Sequence, residues 1–288
     1  MKIALGTVQF GLPYGITNQK GQVSFHEAEA ILNMALTNGV DTLDTAIAYG
    51  VSETRLGEIG VKQWKVVTKL PAAPESCRDV HSWVLAAVQD SLMRLKIDRL
   101  HGLLLHCPDQ LLHDSGKALF QAMDALKTNH LVQKIGISIY GPKELDALCK
   151  HYPFDIVQMP FNVLDRRLIH SGWLSRLYAQ ETEIHVRSVF LQGLLLMQPE
   201  DRPRKFKRWQ SLWEHWDAWL KEKAVSPLMA CIQYAMSIPE ISKVIVGVDS
   251  VNQLKEILQV AAGSISGVPD NLCCNDINLI NPSCWNSL

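Results

Sequence analysis

Two patterns alternate along the chain: short runs of β-branched and aliphatic residues, and longer stretches whose apolar positions recur every three or four residues. The first kind reads as strands buried on both faces, the second as helices with one face against a sheet. Strands are predicted at Lys2–Leu5, Thr42–Thr45, Val66–Lys69, Gly102–His106, Lys134–Ser138, Ile156–Met159, His185–Val189 and Lys243–Gly247. Between the first two, the capping box Ser24-Phe25-His26-Glu27 opens a helix carrying Ala28, Ile31, Leu32, Ala35 and Leu36, closed by Gly39. Val80, Trp83, Val84, Ala87, Val88, Leu92 and Leu95 trace one face of a long amphipathic helix. Further helices are expected after Ser52 as a cap, over about 114–127, from Pro142 with Leu145 and Leu148 inward, over 171–180, and from Ser226-Pro227. A second capping box, Ser250-Val251-Asn252-Gln253, opens the last.

Two stretches depart from this rhythm. At about 199–223 a basic run (Arg202, Arg204, Lys205, Lys207, Arg208) precedes Trp209, Trp213, Trp216 and Leu220 at helical spacing, which predicts an inserted helix docked on the main fold. After Gly267 the chain turns rich in Asn, Pro and Ser and is expected to lie irregularly on the surface.

Eight strands alternating with helices specify a closed (β/α)8 TIM barrel, one domain over residues 1–288, rather than an open doubly wound sheet. Such barrels occupy about 250 residues as a single domain. No Gly-x-Gly-x-x-Gly follows the first strand, which argues against a classical dinucleotide-binding fold.

Composition narrows the partners. Apolar residues at 47% and charged residues at 20% describe an ordinary globular chain, and a net charge of -1 gives no general attraction to nucleic acid or an anionic membrane. Met1-Lys2-Ile3-Ala4-Leu5-Gly6 carries no signal-type apolar region, and nowhere is there an apolar run of the roughly 18 residues that a membrane helix needs. The expectation is a cytoplasmic protein. The seven cysteines include no Cys-x-x-Cys pair and read as reduced, mostly buried thiols. Adjacent Cys273-Cys274 and Cys284 lack a histidine or second cysteine pair at ligand spacing, so no metal site is predicted.

In a parallel barrel the carboxyl ends of all strands share one mouth. Asp44 and Tyr49 after the second strand, Lys69 at the end of the third and His106 at the end of the fourth are therefore predicted to converge. Taken singly, Asp44 reads as a strand-end cap, Lys69 as a surface charge and His106 as a hydrogen-bonded structural histidine. Taken together they form a proton-donating device. A free phenol has a pKa near 10, so Tyr49 gives up a proton more readily beside a cation that stabilises phenolate. Lys69 supplies that cation, Asp44 holds it, and His106 donates a hydrogen bond where negative charge develops on a carbonyl oxygen.

An ordered set of further residues resembles the aldo-keto reductases over nearly the whole chain. It comprises Gly6-Thr7, Asp44-Thr45-Ala46 with Tyr49-Gly50 and Glu53 to Gly57, Thr68-Lys69, and His106 with Pro108-Asp109. It continues with Gly136-Ile137-Ser138, Gln158 with Asn162, Arg187-Ser188 with Gly193-Leu194, and Gly247 with Gln253. The resemblance implies reduction of a small aldehyde or ketone by NADP(H) or NAD(H), with Tyr49 as general acid, Lys69 and Asp44 as its tuning pair and His106 as orienter of the carbonyl. It implies a cofactor lined by Gly6, Thr7 and Asp44, with its carboxamide held by Ser138 and Gln158 and Arg187 stacked beneath the ring. Ser188, Phe190, Gln192 and Gly193 would follow the pyrophosphate. Gly247, Asp249, Ser250 and Gln253 would meet the adenosine end, where the helix N-terminus at Ser250 offers free N–H groups to the adenosine phosphate.

Three departures from the family pattern matter. Ile139 replaces an asparagine that would bind the carboxamide; Asp249 stands where a basic residue commonly meets a 2'-phosphate; Ile257 replaces an asparagine on the adenine side. A carboxylate at Asp249 repels a 2'-phosphate and accepts from a free ribose hydroxyl, which makes NADH a candidate. The basic run Arg202 to Arg208 is either a compensating charge over the cofactor or a solvated helix face. Val8 stands where many relatives carry tryptophan, which widens the substrate side, with Phe10, Tyr14 and Phe161 as candidate walls of a pocket for sugar-like carbonyls. Two other readings stand beside this one: a cofactor-sensing subunit similar to the barrel-shaped β subunits of potassium channels, and a lyase using Lys69 as a Schiff-base amine.

Overall fold

The computed structural model describes residues 1–288 other than 17, 19, 20, 264 and 266. Eight strands, β1 (Ile3–Gly6), β2 (Thr42–Asp44), β3 (Lys65–Leu70), β4 (Leu100–Leu105), β5 (Val132–Ser138), β6 (Ile156–Pro160), β7 (Glu183–Arg187) and β8 (Lys243–Gly247), alternate with helices. Neighbours pair in parallel in chain order, and β8 returns to β1, closing the barrel. Period-two alternation sends one set of side chains outward against the helices and the other inward. The inward set includes a small apolar plug of Val67, Leu104 and Ile156. Gly136 is needed beside it, because a Cβ there would stand 1.9 Å from the Ile156 carbonyl oxygen.

Several ends differ from the sequence reading. β7 begins and ends two residues before the predicted run: Ser188 turns to φ 60°, which stops the ladder although Val189 continues the apolar pattern. Ser52 is the first residue of helix Ser52–Ile59, with Val51 at the cap, and its buried hydroxyl donates instead to the Thr7 carbonyl at 2.9 Å. Ser24 does cap Phe25–Thr37 by accepting the Glu27 N–H. The Glu27 carboxylate does not complete the box; it accepts the Val251 N–H at 2.7 Å, on another helix.

In the 199–223 stretch the helix runs from Gln210 to Lys223 and buries Trp213, Trp216, Trp219 and Leu220, while Trp209 sits at its cap, half-buried. The tail is more ordered than its composition suggests, with short helical turns at Asp270–Leu272, Ile277–Ile280 and Pro282–Ser287. It buries Leu272, Leu279, Ile280 and Trp285, and the Trp285 ring meets Phe206 edge-on with centroids 4.9 Å apart. Among the described residues no helix is long and apolar enough to cross a membrane.

Candidate active site

Two residues beyond the interior plug, the same inward register emerges at the mouth: Lys69 above Val67, His106 above Leu104, Ser138 above Gly136 and Gln158 above Ile156. These side chains line a cavity of about 580 Å³, in the size range of small-molecule sites. The residues expected from the sequence to serve catalysis, cofactor or substrate lie on its wall, except the candidate substrate walls Phe10 and Phe161 and also Ser250, whose hydroxyl accepts the Gln253 N–H at 3.3 Å.

The buried centre is an ion pair. Lys69, 1% exposed, donates from Nζ to Asp44 Oδ2 at 2.7 Å and to the Thr45 carbonyl at 2.8 Å. An ammonium has three donors, so one remains, and Nζ stands 5.1 Å from the centre of the Tyr49 ring. Burial disfavours this charge, but the Asp44 carboxylate and Tyr49 outweigh it and hold the ammonium above the usual lysine range. An amine kept protonated has no lone pair for Schiff-base formation, which removes the basis of the lyase reading. Asp44 Oδ1 accepts from Gln158 Nε2 at 2.6 Å, and Gln158 Oε1 accepts from Ser138 Oγ at 3.0 Å. Ser138, Gln158, Asp44 and Lys69 thus form one hydrogen-bonded chain.

His106 faces Tyr49 edge-on, with ring centroids 6.0 Å apart. Burial, then the positive charges of Lys69 and Arg187, push its imidazole down to about 4. It is neutral at pH 7, with one N–H to donate. Arg187 lies 4.8 Å over the Tyr140 ring and donates to the Ile139 carbonyl at 3.0 Å. The Ile139 side chain itself is fully buried. Beyond β7, Ser188, Leu191, Gln192 and Gly193 all take positive φ, a strained run of the kind that collects at ligand sites.

Of the candidate walls, Tyr14 lines the cavity and its hydroxyl accepts from Gln192 Nε2 at 3.2 Å. Phe10 and Phe161 do not; both are fully buried in the core, Phe161 stacked on Tyr234. The basic run also turns away: Arg202 pairs with Asp217, Arg208 lies on Trp209 beside Asp276, and no residue of the run lines the cavity.

The sequence reading missed Gln9, Tyr140, Ser226 and Glu256 on the wall. Tyr140 was findable, two residues beyond Ser138; Gln9 was not, because a lone glutamine in a helical turn carries no signal. The Gln9 side chain lies across Gly247, where a Cβ would come within 2.4 Å of its Nε2. Gln9 is 8% exposed, and its Oε1 is buried without a hydrogen-bond partner among the described residues. Among the described residues no group of three or more His, Cys, Asp and Glu is arranged to hold a metal ion.

The model of the Aldo/keto reductase family matches residues 2–266. D-threo-aldose 1-dehydrogenase of a Pseudomonas species is 26% identical, covering 90% of this chain and 91% of its own. An uncharacterised oxidoreductase of Bacillus subtilis (strain 168), YqkF, is 25% identical over 82% of each chain. Among solved structures, the holo form of the Bacillus halodurans aldo-keto reductase AKR11C1 superposes with a TM-score of 0.75 at 20% identity, covering 96% of this chain and 94% of that one.

Proposed function

Because the chain belongs to the aldo/keto reductase family and is an oxidoreductase acting on small carbonyl compounds, we propose that it reduces a hydroxylated, sugar-like aldehyde or ketone, with Tyr49 as the proton donor. The observation that carries this reading is the buried Lys69–Asp44 pair beside Tyr49 at the barrel mouth. The wall fits a nicotinamide dinucleotide in two respects. Ser138 and Gln158 already share a hydrogen bond and keep spare lone pairs for a carboxamide. The side-chain Oε1 of Gln9 is buried and has no hydrogen-bond partner among the described residues, a state that costs free energy until a ligand donor reaches it.

The bound cofactor supplies a hydride; the remaining work falls to this chain. The neutral His106 donates its N–H to the substrate carbonyl oxygen and so fixes the face presented to hydride. Tyr49 passes its hydroxyl proton to that oxygen as charge develops. The Lys69 ammonium stabilises the phenolate left behind, and Asp44 keeps the ammonium charged through the step. The sugar-like preference has two supports: the aldose named for the Pseudomonas relative, and the polar rim of Tyr14, Gln192 and Arg187 around a small Val8.

The test is turnover of a panel of aldoses, keto-sugars and simple aldehydes, followed by loss of reduced-nicotinamide absorbance, in wild type and Tyr49→Phe. The variant is expected to lose roughly 10²–10⁴ in kcat while its cofactor Kd holds. Near-native turnover in Tyr49→Phe removes Tyr49 as the acid; a preference for simple apolar aldehydes removes the sugar-like substrate.

A further inference from the structure

Helix Val251–Val260 begins beside the cavity wall at Asp249, and the first N–H groups of any helix lack partners within it. Such a terminus is where a phosphate would bind. Here it is largely taken. The Val251 N–H donates to Glu27 Oε1 at 2.7 Å, the Gln253 N–H to Ser250 Oγ at 3.3 Å, and the Leu254 N–H to the Ser250 carbonyl at 3.2 Å. Just before the helix, the Asp249 N–H donates to Gln253 Oε1 at 2.7 Å. The expectation of free N–H groups at Ser250 is thus corrected: a carboxylate from a distant helix fills the first position and offsets the positive helix end.

The charges on the wall run the same way. Glu256 lines this end beside the neutral Gln253 and Asp249, whose Oδ1 lies 3.5 Å from Asn18 Nδ2, whereas the lysine and arginine on the wall among the described residues, Lys69 and Arg187, stand beside Tyr49 and Tyr140. The second pointer to a ligand is the unpaired, nine-tenths buried Gln9 Oε1 beside Gly247, two residues before Asp249. As an acceptor it calls for a donor. A ribose with a free 2'-hydroxyl offers two such donors, and a 2'-phosphorylated one only its 3'-hydroxyl.

We propose that this end of the cavity admits an adenosine ribose with a free 2'-hydroxyl and rejects one bearing a 2'-phosphate, and that Glu27 sets this preference by occupying the helix N-terminus. The cofactor is then NAD(H) rather than NADP(H). A 2'-phosphate, carrying more than one negative charge at neutral pH, would meet Glu27 and Glu256 and find the Val251 N–H already taken. The inference rests on the reading that the cavity holds a nicotinamide dinucleotide.

The experiment measures Kd by tryptophan fluorescence for NADH and NADPH, and for the fragments 5'-AMP and adenosine 2',5'-bisphosphate, which isolate the adenosine end. Wild type is expected to bind NADH at least about tenfold more tightly than NADPH, with the fragments ordered alike. Glu27→Gln keeps an acceptor for the Val251 N–H but removes the charge, and is expected to narrow the NADH/NADPH ratio several-fold through tighter NADPH binding. Glu256→Gln, on the exposed face of the helix, serves where Glu27→Gln melts early, and is expected to narrow the same ratio. Wild type binding NADPH as tightly as NADH, or tighter, overturns the proposal while leaving the cofactor reading intact. An unchanged ratio in a Glu27→Gln variant that melts like wild type removes Glu27 as the determinant. Failure of both dinucleotides to bind overturns the cofactor reading itself, and the inference with it.

Discussion

An ammonium that is 1% exposed is costly unless its charge is answered at contact distance, and at Lys69 the answer is Asp44 at 2.7 Å. The field of that ammonium reaches His106, which burial and two nearby cations push down to about 4. A histidine so depressed stays neutral from pH 8 down through pH 5, so it contributes no inflection near the ordinary value of about 6.5. The pH profile of kcat/KM for reduction is expected to be flat on its acid side until close to pH 4, short of acid unfolding. His106→Ala is expected to cost about 10²-fold in kcat, as for loss of one donor to a developing oxyanion, with cofactor Kd unchanged. An acid limb near pH 6.5 that disappears in His106→Ala would show a titrating imidazole and defeat the neutral-donor role. At this scale the sequence is informative where a polar residue abruptly ends an apolar run, as Lys69, His106 and Ser138 do. Glu27 and Gln9 were illegible for the opposite reason: what matters about each is a partner more than 200 residues away, Val251 for the one and Gly247 for the other.

Between elements, the tie that holds the second βα unit is Glu53, 2% exposed on helix Ser52–Ile59. Its Oε1 accepts from Thr68 on β3 at 2.6 Å and from Ser91 on helix Val80–Leu95 at 2.7 Å; its Oε2 takes two bonds from Arg94. Three elements meet on one carboxylate. Thr68 directly precedes Lys69, so the network also fixes the strand that carries the buried Lys69 ammonium. Glu53→Ala strands two hydroxyls and a guanidinium, and is expected to destabilise the fold by about 3 kcal/mol, the low end for a broken buried pair because the Arg94 side chain is 34% exposed. Urea unfolding checks it; a midpoint equal to wild type would mean that water replaces the carboxylate without loss. Element type and order were readable from periodicity, because a strand that is apolar on both faces and a helix with one apolar stripe differ over any ten residues. Element ends were less readable. Ser188 leaves β7 through its backbone dihedral, and Ser52 spends its hydroxyl on Thr7 rather than on a cap; neither choice is written in residue type.

Across the whole barrel the two mouths divide the labour, the carboxyl end carrying the cavity and the amino end a ring of ion pairs. Asp41, ahead of β2, accepts from Lys243 at 2.6 Å and Lys65 at 2.9 Å, linking the starts of β8 and β3. Glu183, at the start of β7, accepts from Lys134 on β5 at 2.6 Å, with His101 and His185 each 3.3 Å away. Burial by itself would raise both carboxyls, but these hydrogen bonds and cations hold both well below the usual carboxylate range. A carboxyl depressed in the folded state contributes stability that is complete above its unfolded pKa of about 4 and is lost as pH falls below that value toward the folded one. Closure of the barrel is therefore expected to weaken in acid from this end. In urea titrations between pH 7 and pH 3, Asp41→Asn and Glu183→Gln are expected to unfold earlier than wild type at pH 7, with the gap starting to shrink below about pH 4 as these carboxyls protonate in the unfolded wild-type chain while the folded ones stay ionised. Because neither residue approaches the cavity, kcat/KM at pH 7 should match wild type in both variants. A gap that stays constant down to pH 3 would trace the loss to packing rather than to charge, and a fall in kcat/KM would mean that the two ends of the barrel are coupled.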